Sequence, residues 1–123
     1  MIELVSDLGG GKTTFTRGLA SGIGSTDRVS SPSFTLMNQY RGDKLMIYHF
    51  DFYRLAEPGI MREELAEVLT DPSAVVVVEW ANIVEDVLPV ERVSISITAT
   101  GEVSRTYRID TPKQLSYLTS NLS

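Results

Sequence analysis

A chain of 123 residues has the length of one domain, and 42% hydrophobic with 22% charged residues excludes disorder as its main state. A formal net charge of −5 argues against direct binding to nucleic acid or a membrane surface, because both are negatively charged. The absence of cysteine excludes a disulfide scaffold and a thiolate metal site. With no membrane-length apolar run and no signal-peptide pattern at the N-terminus, we expect a cytoplasmic protein without a membrane partner.

Local sequence patterns predict an alternation of strands and helices. The predicted elements are a strand over 2–5, a helix over 12–23 capped by Gly24, strands over 34–40 and 44–53, a helix over 61–69, a strand over 74–80, a short helix over 84–88, strands over 93–98 and 102–109, and a helix over 111–122. The unbroken valines of 75–78 are typical of a strand buried on both faces of a parallel sheet. This order predicts one α/β domain, with parallel core strands and added antiparallel strands.

The strongest motif follows the first strand, where residues 6–13 have the sequence SDLGGGKT. It matches the P-loop pattern of Gly, four residues and Gly-Lys-Ser/Thr, except that Ser6 replaces the first glycine. In such a loop, backbone N–H groups bind phosphate oxygens, Lys12 contacts the β- and γ-phosphates, and the Thr13 hydroxyl binds Mg²⁺. A chance glycine-rich turn accounts less well for strand, glycines, Lys, Thr and helix in this order. We predict a nucleotide site here.

Two acidic residues stand where a P-loop enzyme needs carboxylates. Glu79 ends the valine strand, and Asp51 lies in the aromatic segment 47–53. Ligands of open α/β sheets bind beyond the carboxyl ends of the strands, which favours a functional role for both. Glu79 as a strand-end acid in solvent, and Asp51 as a turn or capping residue, are the alternatives. His49, the only histidine, is more typical of a hydrogen-bonded structural residue than of a catalytic base.

Four segments between about residues 4 and 89 together resemble the TsaE family, the small P-loop ATPase of bacterial tRNA threonylcarbamoyladenosine (t6A) synthesis. Their sequences are SDLGGGKTTFTRGLASGIG, VSSPSFTLMNQY, IYHFDFYRL and VVVVEWANIVEDVLP. The family pattern carries GDLGAGKTT, SPTF, HFDLYR and EW in the same order, and a generic P-loop protein would not share the last three.

The resemblance implies a P-loop NTPase-like sheet with helices on both faces, binding ATP or ADP with Mg²⁺. It also implies the partner proteins TsaD and TsaB, which place the threonylcarbamoyl group on N6 of adenosine-37 in tRNA. The ATPase supports their turnover without performing the transfer, and it meets tRNA indirectly, through the complex. By position, the resemblance implies a phosphate loop of Gly9, Gly10, Gly11, Lys12, Thr13 and Thr14, Mg²⁺ ligands Thr13, Asp51 and Ser33, a water-positioning Glu79 and, beside it at the nucleotide, Trp80.

The chain departs from the family pattern at Ser6 and begins only about five residues before the loop. We therefore expect a single P-loop domain over 1–123 that lacks the family's usual N-terminal helix and strand. A small P-loop kinase is an alternative hypothesis. Such kinases need an arginine-bearing lid, and no Lys or Arg occurs between Arg62 and Arg92, which leaves Arg105 and Arg108 as candidates. A non-hydrolysing, nucleotide-binding scaffold subunit is the third possibility.

Overall fold

The structure is a computed structural model that describes residues 1–6, 12–27, 37–52, 59–89, 92–101 and 104–118. The elements are β1 (Ile2–Ser6), α1 (Lys12–Gly22), β2 (Met37–Arg41), β3 (Met46–Asp51), α2 (Gly59–Val68), β4 (Ala74–Glu79), a 3₁₀ helix (Ala81–Val87), β5 (Val93–Ala99), β6 (Arg105–Asp110) and a second 3₁₀ helix (Lys113–Leu118). The predicted strands and the predicted helices over 12–23 and 61–69 are confirmed where the structure describes them.

The strands of the described residues form one six-stranded sheet in the order β2-β3-β4-β1-β5-β6. β3, β4, β1 and β5 are parallel, whereas β2 and β6 pair antiparallel to β3 and β5 at the two edges. The predicted α/β architecture, with a parallel core and added antiparallel strands, is therefore confirmed. β1 lies between β4 and β5, so the chain leaves the middle of the sheet where the glycine-rich segment begins.

Among the described residues, two hydrophobic clusters cover the two faces of the sheet. On the first face, here called the α1 face, Ile47 and Val77 pack with Phe15 and Leu19 of α1. The opposite face packs against α2 and the first 3₁₀ helix, with Val76 and Val78 in that cluster. Helices on both faces are thus confirmed. The valine run contributes to both clusters because successive strand residues point to opposite faces.

The β2–β3 turn packs closely against the end of α1. The N–H of Gly42 donates to the carbonyl of Leu45 at 2.8 Å, and the N–H of Asp43 donates to the carbonyl of Ile23 at 3.0 Å. A Cβ on Gly42 would lie 2.4 Å from that Ile23 oxygen, so only glycine permits this approach. Gly24, with a φ of +84°, confirms the predicted cap of α1.

Beyond shifts of one or two residues at other element ends, the structure differs from the predictions at three elements. The predicted short helix over 84–88 begins earlier, at Ala81, because Trp80 has left-handed backbone angles (φ 60°, ψ 46°) that turn the chain directly after β4. The predicted C-terminal helix is a 3₁₀ helix where it is described, opening with a bond from the N–H of Leu115 to the carbonyl of Pro112. β6 begins at Arg105, after Ser104, and the predicted start at 102 lies outside the described residues. No helix in the described ranges is both long and apolar enough to cross a membrane.

Candidate active site

The candidate site lies at the edge where the parallel strands end. α1 begins at Lys12, six residues after the end of β1, and thus places its N-terminus at this edge. The Lys12 side chain is buried, with 10% of its surface exposed. Its backbone carbonyl accepts a hydrogen bond from the buried Thr16 hydroxyl at 3.0 Å, within the second turn of the helix. The lysine therefore belongs to a regular helix, and most of its side chain is buried.

The register between β3 and β4 brings together residues that lie far apart in the sequence. Asp51 pairs with Glu79, and His49 pairs with Val77. Alternate residues of a strand point to the same face, so His49, Asp51 and Glu79 all belong to the α1 face, near the start of α1. Both predicted carboxylates thus lie at the carboxyl edge, as we expected for ligand-binding residues of an open α/β sheet.

Glu79 links Lys12 to His49. Its Oε1 lies 3.3 Å from Nζ of Lys12, and its Oε2 accepts a hydrogen bond from Nε2 of His49. Only 6% of the Glu79 side chain is exposed, and His49 is fully buried. The alternative of a strand-end acid in solvent is therefore wrong for Glu79, because each carboxylate oxygen has a partner inside the protein.

These partners determine the charge of Glu79. Burial alone raises the pKa of the carboxyl group, because desolvation disfavours the charged form. The hydrogen bond and electrostatic interaction with His49, followed by the charge of Lys12, outweigh this effect and hold the pKa of Glu79 below its ordinary value. The side chain is consequently a carboxylate at neutral pH, able to accept hydrogen bonds but not to donate them.

Trp80 lies beside this cluster with its side chain half-buried. Nζ of Lys12 is 5.7 Å from the centroid of the indole ring, within the range of a cation–π interaction. The ring also packs against the hydrophobic cluster on the α2 side of the sheet. The structure thus gives Trp80 the packing role that is typical of a lone tryptophan, together with a direct contact to the candidate phosphate-binding lysine.

The structure describes only some of the remaining predicted site residues. Thr13 lies in the first turn of α1, Thr14 follows with an exposed side chain, and Asp51 is half-buried. Gly9, Gly10, Gly11 and Ser33 lie outside the described residues. Within the described ranges, no group of three or more His, Cys, Asp or Glu side chains is arranged to hold a metal.

Sequence reasoning treated His49 as a structural residue and did not connect it to Glu79. The prediction of a hydrogen-bonded histidine is confirmed, but its partner is the candidate catalytic carboxylate. The spacing of His49 and Asp51, two residues apart on one strand, was the available signal, since it puts both side chains on one face. It did not show which face that was, or which strand lay beside it.

Comparison with known proteins decides the family. The family model described as Threonylcarbamoyl adenosine biosynthesis protein TsaE matches residues 1–117. The chain belongs to the TsaE family. The resemblance inferred from the sequence motifs is thereby confirmed, and the TsaE family is described as one of tRNA t6A biosynthesis proteins.

Two TsaE relatives and one crystal structure illustrate the similarity. A tRNA threonylcarbamoyladenosine biosynthesis protein TsaE from Bacillus subtilis is 41% identical over 106 residues, which cover 85% of this chain and 65% of that protein. Its Haemophilus influenzae counterpart is 38% identical over 97 residues, covering 79% and 61%. This TsaE chain thus matches slightly less than two thirds of either relative's length. The crystal structure of Bacillus subtilis YdiB superposes with a TM-score of 0.74 and 35% identity, covering 95% of this chain and 72% of that one.

Proposed function

We propose that the chain is a Mg²⁺-dependent ATPase that binds ATP or ADP and supports tRNA t6A synthesis by TsaD and TsaB. The observation that carries this proposal is the buried pair of Lys12 and Glu79, 3.3 Å apart at the N-terminus of α1 and the carboxyl edge of β4. A phosphate-binding lysine and a carboxylate for the attacking water are two essential parts of P-loop hydrolysis. Membership of the TsaE family supports the link to t6A synthesis.

Phosphate binding falls to Lys12 and the start of α1. The first N–H groups of a helix have no partner within the helix, and the helix dipole favours an anion there. Lys12 adds a full positive charge at the same point, and its partial burial strengthens its attraction for phosphate. Together they fit the β- and γ-phosphates of a nucleotide.

The donor set fits Mg²⁺ together with a nucleotide rather than Mg²⁺ alone. Protein sites usually bind this ion through one or two carboxylates, hydroxyls and the substrate's own phosphate oxygens. Thr13 at the start of α1 and Asp51 at the end of β3 are the residues that would hold it, with Ser33 as a further hydroxyl. When bound, the ion would neutralise charge on the phosphates.

Glu79 is the residue that would orient water for hydrolysis. Its lowered pKa keeps it an acceptor, so it can take a hydrogen bond from a water molecule aimed at the γ-phosphorus. The water oxygen bonds to phosphorus as the bond to the β,γ-bridging oxygen breaks, giving ADP and inorganic phosphate. Lys12 stabilises the charge that develops on these oxygens.

The kinase alternative depends on Arg105 and Arg108 as candidate lid arginines, and the structure gives both of them other partners. The guanidinium of Arg105 donates to the carbonyls of Gly101 and Ser104 in the β5–β6 turn, at 3.3 and 2.9 Å. Arg108 pairs with Asp110 on the same edge strand, with Nε 3.4 Å from Oδ2. Both side chains thus have partners within the β5–β6 hairpin, which disfavours them as phosphate clamps.

Calorimetric titration of the full chain with Mg²⁺–ATP and Mg²⁺–ADP tests nucleotide binding. Lys12→Ala should abolish measurable binding, because it removes charge-assisted contacts worth about 1.5–3 kcal/mol each. Arg17→Ala is the matched control, since Arg17 is an exposed cation on the same helix and should leave the affinity unchanged. Normal binding by Lys12→Ala would refute the phosphate-site assignment.

Hydrolysis is then measured by phosphate release, with and without TsaD and TsaB. We expect turnover to require the partners, and Glu79→Ala to retain binding while losing turnover. Unchanged turnover in Glu79→Ala would remove that residue from the mechanism. The acidic chain should bind tRNA weakly without partners, and strong, salt-sensitive binding by the isolated chain would contradict indirect contact.

A further inference from the structure

His49 lies directly beneath the candidate site. It is fully buried on β3, and its Nε2 donates to Oε2 of Glu79. Its second ring nitrogen, Nδ1, is buried and has no hydrogen-bond partner among the described residues. Buried polar atoms are normally hydrogen-bonded, so an apolar residue would fill this position at a lower cost than a histidine with one unpaired nitrogen. The contact with Glu79 is the feature that explains a histidine at this position.

The two oxygens of Glu79 have partners of different kinds. Lys12, at Oε1, is the residue that nucleotide phosphates would attract, and its side chain lies at the start of a helix with some exposure. His49, at Oε2, is fixed in the buried interior of a strand that pairs along its whole length with β4. Phosphate binding would therefore weaken the first contact and leave the second in place.

The neighbour of Glu79 across the strands is a second carboxyl group. Asp51 is its register partner in the parallel pair β3–β4, and both residues belong to the α1 face. A donor at Oε2 keeps the carboxylate bonded and oriented even when the ammonium group of Lys12 turns to phosphate.

We propose that His49 is a positioning residue for Glu79, holding the carboxylate through Oε2 while Lys12 exchanges Oε1 for nucleotide phosphate. This inference rests on the proposed ATP hydrolysis. It assigns His49 no proton transfer and no contact with nucleotide. Its effect should therefore be on turnover and not on nucleotide affinity.

Two substitutions separate the hydrogen bond from the volume of the ring. His49→Leu fills the buried site without a donor, whereas His49→Gln keeps an amide N–H₂ near the position of Nε2. We expect His49→Leu to lower kcat between about ten- and a hundredfold, with the Kd for Mg²⁺–ATP changed less than about threefold. His49→Gln should recover a large part of kcat. Titration of Trp80 fluorescence gives Kd without hydrolysis, because Trp80 is the only tryptophan and contacts Lys12.

Ile47→Ala is the matched structural control. Ile47 is equally buried and lies two residues before His49 on the same face of β3, with its side chain in the hydrophobic cluster of the α1 face. It should lower the melting temperature without changing kcat at temperatures well below that transition. Equal losses of kcat in Ile47→Ala and His49→Leu would show a merely structural role and overturn the proposal.

A double-mutant cycle with Glu79→Gln completes the test. If His49 acts through Glu79, His49→Leu should have almost no further effect on kcat in the Glu79→Gln background. Independent, multiplying losses would overturn the proposal, as would a His49→Leu variant with the kcat of the unsubstituted chain. Failure of the proposed function is distinguishable, because then the unsubstituted chain would not hydrolyse ATP even with TsaD and TsaB present.

Discussion

The pair formed by Lys12 and Glu79 should contribute a measurable coupling to stability in the absence of nucleotide. The charged atoms are 3.3 Å apart, and the side chains are only 10% and 6% exposed. At an effective dielectric constant of about 20, Coulomb's law gives a gross attraction of about 5 kcal/mol at this distance. The desolvation cost of each ion cancels in a double-mutant cycle, but relaxation of protein and solvent around the remaining charge reduces the pairwise value, so we expect a coupling free energy of about 2 kcal/mol.

The perturbations are Lys12→Met, Glu79→Gln and the two combined. Each single change removes one partner of a buried charge, although Glu79 remains bonded to His49 in Lys12→Met, and should lower the free energy of unfolding by about 3 kcal/mol. The double variant should lose about 4 kcal/mol rather than the sum of the two single losses. Urea unfolding followed by Trp80 fluorescence and by circular dichroism measures all four proteins, and agreement of the two probes supports a two-state transition.

Additivity of the two changes within about 0.5 kcal/mol would refute the reasoning, because it would mean that the groups do not interact in solution. A control cycle uses Arg17 in place of Lys12, because Arg17 is an exposed cation farther along α1. Arg17→Met and Glu79→Gln should be additive within the same limit. The functional consequence is also testable. Glu79→Gln should bind Mg²⁺–ATP several-fold more tightly, because nucleotide binding then no longer has to break the ion pair between Lys12 and a carboxylate.

Three further predictions concern stability. Gly42→Ala should lower the free energy of unfolding by about 1–3 kcal/mol in urea titration, because its Cβ meets the Ile23 carbonyl at 2.4 Å; an unchanged midpoint would contradict this contact. Arg92→Ala should lose about 2–3 kcal/mol by breaking the 2.7 Å bond to the largely buried Glu3, with Arg92→Lys intermediate; equal stabilities would dismiss the bond. The pKa of Glu79 is lowered in the folded state, so as the pH falls the carboxylate is protonated in the unfolded chain before it is protonated in the folded one. The free energy of unfolding should therefore decrease as the pH drops below about 4.3, and less steeply in Glu79→Gln. Identical pH profiles of the two proteins would refute this.

Local patterns were sufficient to predict most elements of this fold. Buried residues recur with the period of the helix or strand that contains them, so the spacing of apolar residues indicates the element. This is how the sequence predicted β1 from its apolar run, α1 from its four-residue spacing and β4 from its valines. The glycine-rich motif likewise placed Lys12 at the start of a helix. What the patterns did not contain was the strand order, since the position of β1 between β4 and β5 depends on contacts between distant segments.

The same limit applies to the site. A strand-end position indicated Glu79 as a candidate, but its burial and its bond to His49 depend on the register of β3 against β4. Helix type near the ends of elements was also not predictable. Trp80 has left-handed backbone angles without being glycine, and no sequence rule for tryptophan anticipates that turn.

The alignment of β3 with β4 has a consequence for how this site tolerates change. Six consecutive residue pairs, from Met46–Ala74 to Asp51–Glu79, fix the two strands relative to each other. A slip of one residue would turn the histidine and aspartate toward α2 while Glu79 stayed on the α1 face. The buried residues of β4 that oppose the slip, Val77 among them, therefore help to specify the active site. Insertions in the connection between the strands should spare the site, whereas one extra residue within either strand should dismantle it.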